Sequence, residues 1–318
     1  MLRFTLRRIG LALITLLILV VIIFLLTRVF PSDPARQLAG PFAPQERVDQ
    51  ITEENGFDDP LLTQLGDLLR SVVTFDYGES LSSPGESVIS LVGDALVNSA
   101  KLVAFALVLT LPIAIIGGII AARRKDTIID RTIVTLGLAS ASIPEFVSGV
   151  LLQYIFGVQL GWFPAIATFP DDAGILTQLN HLVLPAVAIV IVYFGYIARI
   201  TRAGTIAALE SDYTRTAYMK GLTTNQVMRK HVLRNSLQPT VAVTGTQIGY
   251  LFGGLVGLEI VFNYPGLGRL TFTAATKADF PLLTACVMTV AIIFMITTLA
   301  ADLIIAWMNP RARLQLGD

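Results

Sequence analysis

Few residues in this chain could do covalent or metal chemistry, and their spacing is wrong for it. There are two histidines and one cysteine. His181 and His231 lie far apart without companions at metal-ligand spacing, and Cys286 sits in an apolar run where it reads as a small hydrophobe. No G-x-x-x-x-G-K-[ST] run occurs, so the chain has no phosphate-binding loop of its own. No catalytic set, bound metal or resident cofactor is expected. The polar residues that stand out are of another kind. Glu145 follows Pro144 within an apolar stretch, and Glu259 closes a glycine-rich one that also holds Gln247. A carboxylate in such surroundings is costly unless it faces a cavity or a partner. Pro144, Glu145, Gln247 and Glu259 are therefore candidates for a pathway or gate. The competing readings give Glu145 a capping or packing role beside the proline, or a protonated side chain, and have Glu259 either anchor the Asn263-Tyr264-Pro265-Gly266 turn or touch a protein that delivers the solute.

The elements that must hold these residues are membrane helices. Hydrophobic residues make up 54% of the chain and charged ones 14%, with mean hydropathy +0.70. An average soluble domain carries about 25% charged residues and could not bury so much apolar surface. Lys+Arg 23 balances Asp+Glu 23, which gives no sign of a nucleic-acid partner. Runs of roughly 20 apolar residues predict an all-α membrane protein with six transmembrane helices. They fall near 9–27, 102–121, 133–156, 182–198, 239–262 and 282–308. The first run is too long for a signal-peptide core and lacks an A-x-A-like site, so it reads as a retained helix. Pro112 and Pro185 are expected kinks, and Gly245, Gly249, Gly253, Gly254 and Gly257 read as sites of close helix packing. Arg3, Arg7, Arg8, Arg123, Arg124, Lys125, Arg131, the basic residues of 199–234, Arg311 and Arg313 all fall on one side. That bias places both termini in the cytoplasm.

Residues 31–98 form an acidic outer segment with apolar residues at helical intervals, among them Val48, Ile51, Leu61, Leu62, Leu65, Leu68 and Leu69. Short amphipathic helices broken at Asn55-Gly56 and Asp59-Pro60 are expected, forming a small external cap. The organisation is then an N-terminal helix (1–30), the cap (31–98), a five-helix core (99–310) with a cytoplasmic loop at 199–238, and a tail (311–318).

That loop reads Ser211-Asp212-Tyr213-Thr214-Arg215-Thr216-Ala217-Tyr218-Met219-Lys220-Gly221. Ser211 or Asp212 can cap a short helix and Gly221 can end it in a left-handed turn. Thr223 and Gln226 have capping-box spacing for a second helix reaching about Asn235. A solvated basic connection is the plain alternative. The small pair Thr216-Ala217 favours an elbow, with Ala217 expected on a face that enters another protein's groove.

Here the residues resemble a known family. Thr216-Ala217-x-x-x-Gly221, with Arg-Lys-His-Val-Leu-Arg-Asn at 229–235, resembles the "EAA" loop of binding-protein-dependent ABC importer permeases. Glu259 to Gly268 (Glu-Ile-Val-Phe-Asn-Tyr-Pro-Gly-Leu-Gly), Ala278-Asp279-Phe280-Pro281, Asp302 to Arg311, Ser32-Asp33-Pro34-Ala35 and Asp76-Tyr-Gly78-Glu-Ser80 are similar to the dipeptide/oligopeptide branch, and to its first, long-outer-loop permease. Arg215, His231 and Arg234 depart from the general loop motif, and Ser32 and Phe75 from the branch pattern. The resemblance implies a bacterial inner-membrane permease paired with a second, homologous permease. Two cytoplasmic ATP-binding subunits would carry ATP and Mg, an external solute-binding protein would deliver di- or oligopeptides, and membrane lipid would surround the pair. Asp212, Tyr213, Arg215, Thr216, Ala217, Lys220 and Gly221 become the candidate ATPase-coupling residues. An ion-coupled secondary transporter would call for inverted repeats, and an intramembrane enzyme for a nucleophile–base or metal set. The sequence displays neither.

Overall fold

The computed structural model describes residues 2–29, 34–40, 42–54, 56–170 and 172–308, with the side chains of 2–7, 29 and 34 left aside. Expectations that rest on the side chains of Arg3 and Arg7, on Ser32 and Asp33, on Asn55, on Arg311 and Arg313, or on the tail lie outside the described residues.

The described chain is helical, with one isolated bridge between Glu79 and Ser87. Helix α1 (Leu2–Phe24) continues into a π-helical turn (Leu25–Val29). Three short helices follow: α2 (Pro34–Ala39), α3 (Gln45–Glu54) and α4 (Leu61–Thr74). The expected amphipathic helices and their break near Gly56 and Pro60 are thus present. Helix α5 (Val88–Arg123) starts well before the predicted apolar run. Val88, Val92, Ala95, Ser99, Leu102 and Ala106 are buried at three- and four-residue intervals, so one stripe carries the helix outward from the apolar region.

The third predicted span is not a single rod. It is α6 (Ile128–Ala141) and α7 (Glu145–Leu152, extended by a π-helical stretch to Gln159), bent by 95° between them. Pro144 has no N–H to give and disfavours helix at Ile143, which accounts for the break. Helix α8 (Ile175–Leu209) runs past its apolar part and leads into α9 (Asp212–Met219), α10 (Thr224–Val227), a π-helical turn (Met228–Val232) and α11 (Leu233–Ser236). The fifth predicted span is also divided, into α12 (Gln238–Gly254) and α13 (Val256–Val261). Seventeen residues rise about 26 Å, short of a bilayer core of about 30 Å. Helices α14 (Leu267–Thr276) and α15 (Phe280–Met308) complete the described residues. Among the described residues four helices are long and apolar enough to cross a membrane, and the bent α6–α7 pair makes a fifth candidate.

The chain divides into two compact units. One holds Ala100–Tyr264 and the residues from Ile296 onward. Its closest internal crossing is α6 against α8, where a Cβ on Gly137 would lie 2.7 Å from the Gly195 Cα. Only two glycines allow backbone to meet backbone there. The other unit holds Leu2–Ser99 and Pro265–Met295. In it Ala35, Val48 and Ile51 form one small core, and Val20, Ile23 and Met288 another.

Candidate functional site: the elbow and the buried carboxylates

The elbow after α8 is built from local signals. Ser211 is extended at the start of α9, but its hydroxyl turns back to donate to the Ala208 carbonyl (2.6 Å) and caps no N–H of α9. Thr214 donates to the same carbonyl at 2.7 Å, fastening α9 to the end of α8. At the far end the Gly221 N–H donates to the Tyr218 carbonyl (2.9 Å) and the Leu222 N–H to that of Ala217 (3.4 Å). With Gly221 at φ +78° this is a Schellman stop, as its position in the sequence predicted. The Thr223 N–H donates to Gln226 Oε1 at 2.9 Å, the reach-back half of the expected capping box.

Ala217 does not face outward. It is 3% exposed and packs with Ala208, Val227, Met228 and Val232, flanked by Ile119, Leu209, Leu222 and Leu233. Its methyl group is small because two parts of the same elbow close over it. The outward face carries Asp212, Tyr213, Arg215, Thr216, Lys220 and Gly221 from the predicted set, together with Tyr218 and Met219. Tyr213 and Tyr218 are each 41% exposed and Met219 75%. An apolar, polarizable patch on a basic loop is a surface suited to another protein.

An ion pair that the sequence reading missed stands just before the elbow. Arg202 donates from Nε and Nη2 to the two oxygens of Asp130, at 2.5 and 2.6 Å. The Asp126 N–H gives Asp130 a further bond at 3.0 Å. Asp130 is nearly buried, so this bidentate pair joins the start of α6 to the lower part of α8. Arg202 had counted only as one more basic residue on its side; an acid in the first turn of a span opposite it was the available signal. Nearby, exposed Lys125 bonds Glu210 at 2.9 Å, which raises the lysine pKa, first through that hydrogen bond and then through the charge.

Glu145 is the first residue of α7, directly after the break, and is half-buried. A Cβ on Gly254 would lie 3.1 Å from its Oε1, and one on Gly257 3.1 Å from the Phe146 Cβ. Gly245 likewise meets Ala301 and Thr297. At these three positions the glycines serve close packing, as expected. Glu259 is fully buried on α13, and its carbonyl accepts the Tyr264 N–H at 2.8 Å. Asn263, at φ +52°, turns the chain, while its carbonyl accepts from Thr168 (2.7 Å) and that of Phe262 from the Ala167 N–H (2.7 Å). Gln247 is half-buried on α12. An apolar groove of about 320 Å³ bordered by Ile115, Val241 and Ile304 is lined by none of Pro144, Glu145, Gln247 and Glu259. His181 Nδ1 meets the Ile166 carbonyl at 3.0 Å, and among the described residues no three His, Cys, Asp or Glu side chains gather as a metal site would require.

A long-range clasp also went unread. Asp279 is fully buried. Its Oδ2 accepts from the Ser80 hydroxyl (2.6 Å) and the Ser82 N–H (2.9 Å), and its Oδ1 from the Leu282 N–H at the start of α15 (3.1 Å). The segments around Ser80 and Asp279 carried the resemblance separately; the structure shows that they are one device.

Comparison with known proteins gives this architecture a class. The family "Binding-protein-dependent transport system inner membrane component" matches residues 114–314, and the N-terminal model of the same membrane component matches residues 1–116. A Brucella abortus (strain 2308) protein described as a peptide transport system permease is 34% identical over 310 residues, 97% of this chain and 98% of its own. The glutathione transport system permease protein of Escherichia coli (strain K12) is 32% identical over 313 residues, 98% and 99% of the two chains. A crystal structure of an amino acid ABC transporter with histidines aligns at TM-score 0.46 and 18% identity, over 70% of this chain and 94% of that one. The chain belongs to the binding-protein-dependent transport family as its inner-membrane component. It is a multi-pass permease of the ABC transporter class.

Proposed function

We propose that this permease forms, with a second homologous permease, the pathway by which an ATP-driven importer takes up small peptides. Two cytoplasmic ATPases and an external binding protein complete the machine, and relatives named for peptide and glutathione transport support this solute class. Both termini and the elbow lie in the cytoplasm, on the side where the basic residues collect. The observation that carries the reading is the elbow itself. It is sealed inside by Ala217, Val227 and Val232, so it moves as one body, and it presents Tyr213, Tyr218 and Met219 outward to an ATPase. The Asp130–Arg202 pair joins α8, which leads into the elbow, to α6, which ends at the Pro144 break, so displacement of the elbow reaches Glu145 through rigid helix. Glu145, next to the break, then borders the pathway.

The test is reconstitution of the permease pair with its ATPases and binding protein in vesicles. Uptake of labelled di- and tripeptides should require ATP and the binding protein. Met219→Asp should leave the permease inserted while removing bound ATPase and uptake together. Uptake driven by a proton or sodium gradient without ATP overturns the reading.

A further inference from the structure

Helix α4 has two clearly different sides. At 100° per residue, Leu62, Leu65, Leu68, Leu69, Val72 and Val73 share one arc, while Asp67, Arg70, Ser71 and Thr74 occupy the other. An external cap bathed in water would turn its apolar arc wholly onto its own chain. This helix buries only part of it. Leu68, Leu69 and Val72 pack against the Val20–Ile23–Met288 core, whereas Leu62 is 84% exposed and Val73 75%. These two positions are eleven residues apart, three turns, so they lie on one line along the helix.

The depth of the packed side decides what covers the open one. Val20 lies eight residues inside Arg28, the end of the first span, or about 12 Å along the helix. Met288 lies eight residues inside Phe280, the start of α15, again about 12 Å. Half of a bilayer's hydrocarbon is about 15 Å thick. Both spans therefore place the packed face of α4 about two turns inside their own ends, a depth that acyl chains reach where those ends meet the bilayer surface. Its polar side lies at those ends, since Asp67 and Ser71 share a cavity of about 220 Å³ with Thr27, Arg28 and Pro281. On the first span, Ile22 and Leu26 are likewise exposed apolar side chains.

We propose that α4 is an interfacial helix seated in the bilayer beside the first and last spans, with Leu62 and Val73 in the acyl chains. Its apolar arc is held half by protein and half by lipid, which is how amphipathic helices lie at a membrane surface. The inference stands whatever solute the transporter carries.

Collisional accessibility of spin labels tests it in the full chain with its partner subunits, in vesicles of phosphatidylethanolamine and phosphatidylglycerol. Cys286→Ala removes the native thiol. Labels at Leu62→Cys and Val73→Cys should collide with oxygen several-fold more than with a water-soluble nickel chelate, as at the span position Ile14→Cys. Glu53→Cys on α3 should show the opposite preference. Preference for the nickel chelate at positions 62 and 73 means that the helix is a water-borne cap and overturns the proposal. Protection from both reagents also overturns it, because protein then covers this face.

Discussion

Methyl and isopropyl groups close the elbow, whereas a single carboxylate closes the clasp at Ser80 and Asp279. In the elbow Ala217 meets Val227, Met228 and Val232 through contacts that have no preferred direction, and Met228 can shift rotamer to follow a neighbour. In the clasp, Asp279 accepts three bonds from donors on two segments, each of which weakens steeply if bent or stretched. The first arrangement keeps a body coherent while allowing it to rock. The second fixes a loop to a helix start with no slack. The proposed force-receiving part is thus packed like a joint, and the part that holds the other unit together is bonded like a pin.

The largest effect should come from removing the pin. Asp279→Ala leaves the Ser80 hydroxyl and the Ser82 and Leu282 N–H groups without their acceptor in a buried place. A loss of about 3–5 kcal/mol is expected, read as a lower unfolding temperature in detergent, with Asp279→Asn intermediate. If Asp279→Ala melts with the native protein, water replaces the carboxylate and the contrast with the elbow is lost. Ala217→Arg should come next. It forces a long cation into the elbow's own core, at about 2–4 kcal/mol. The expected sign is rapid amide exchange confined to residues 212–236, with compensating changes arising at Val227 or Met228. Normal exchange there, with compensation arising in an ATPase instead, would put Ala217 back on a docking face. Gly221→Ala should be the mildest, about 1 kcal/mol, since no atom crowds the site and only the left-handed backbone resists. Its exchange change should be confined to the turn at 219–223.

Both ends of this comparison differ in how far the sequence discloses them. The elbow was legible because its signals are local: a left-handed glycine two residues past the helix end, and a Thr–Gln pair at capping distance. What the sequence did not disclose was which way Ala217 faces, because a small residue permits close approach by its own chain as well as by a partner. The clasp joins residues 199 positions apart, and no local rule pairs a serine with an aspartate at that separation. The same limit hid the Gly137–Gly195 crossing and the Asp130–Arg202 pair. Pro144 was read within a span, yet its consequence, a 95° bend, depends on packing around the break. Periodicity found the cap helices but not their level, since the same amphipathic pattern serves a water-borne helix and one lying in lipid.

The separation of the clasp's halves also sets an order for biosynthesis. A ribosome adding about 5–20 residues per second makes Asp279 roughly 10–40 s after Ser80. During that interval the serine loop has no acceptor to hold it, and α4 has no Met288 to complete the core beneath it. The loop can therefore lock only after Asp279, just ahead of α15, has been made. A chain stalled or cut before Asp279 keeps that loop open.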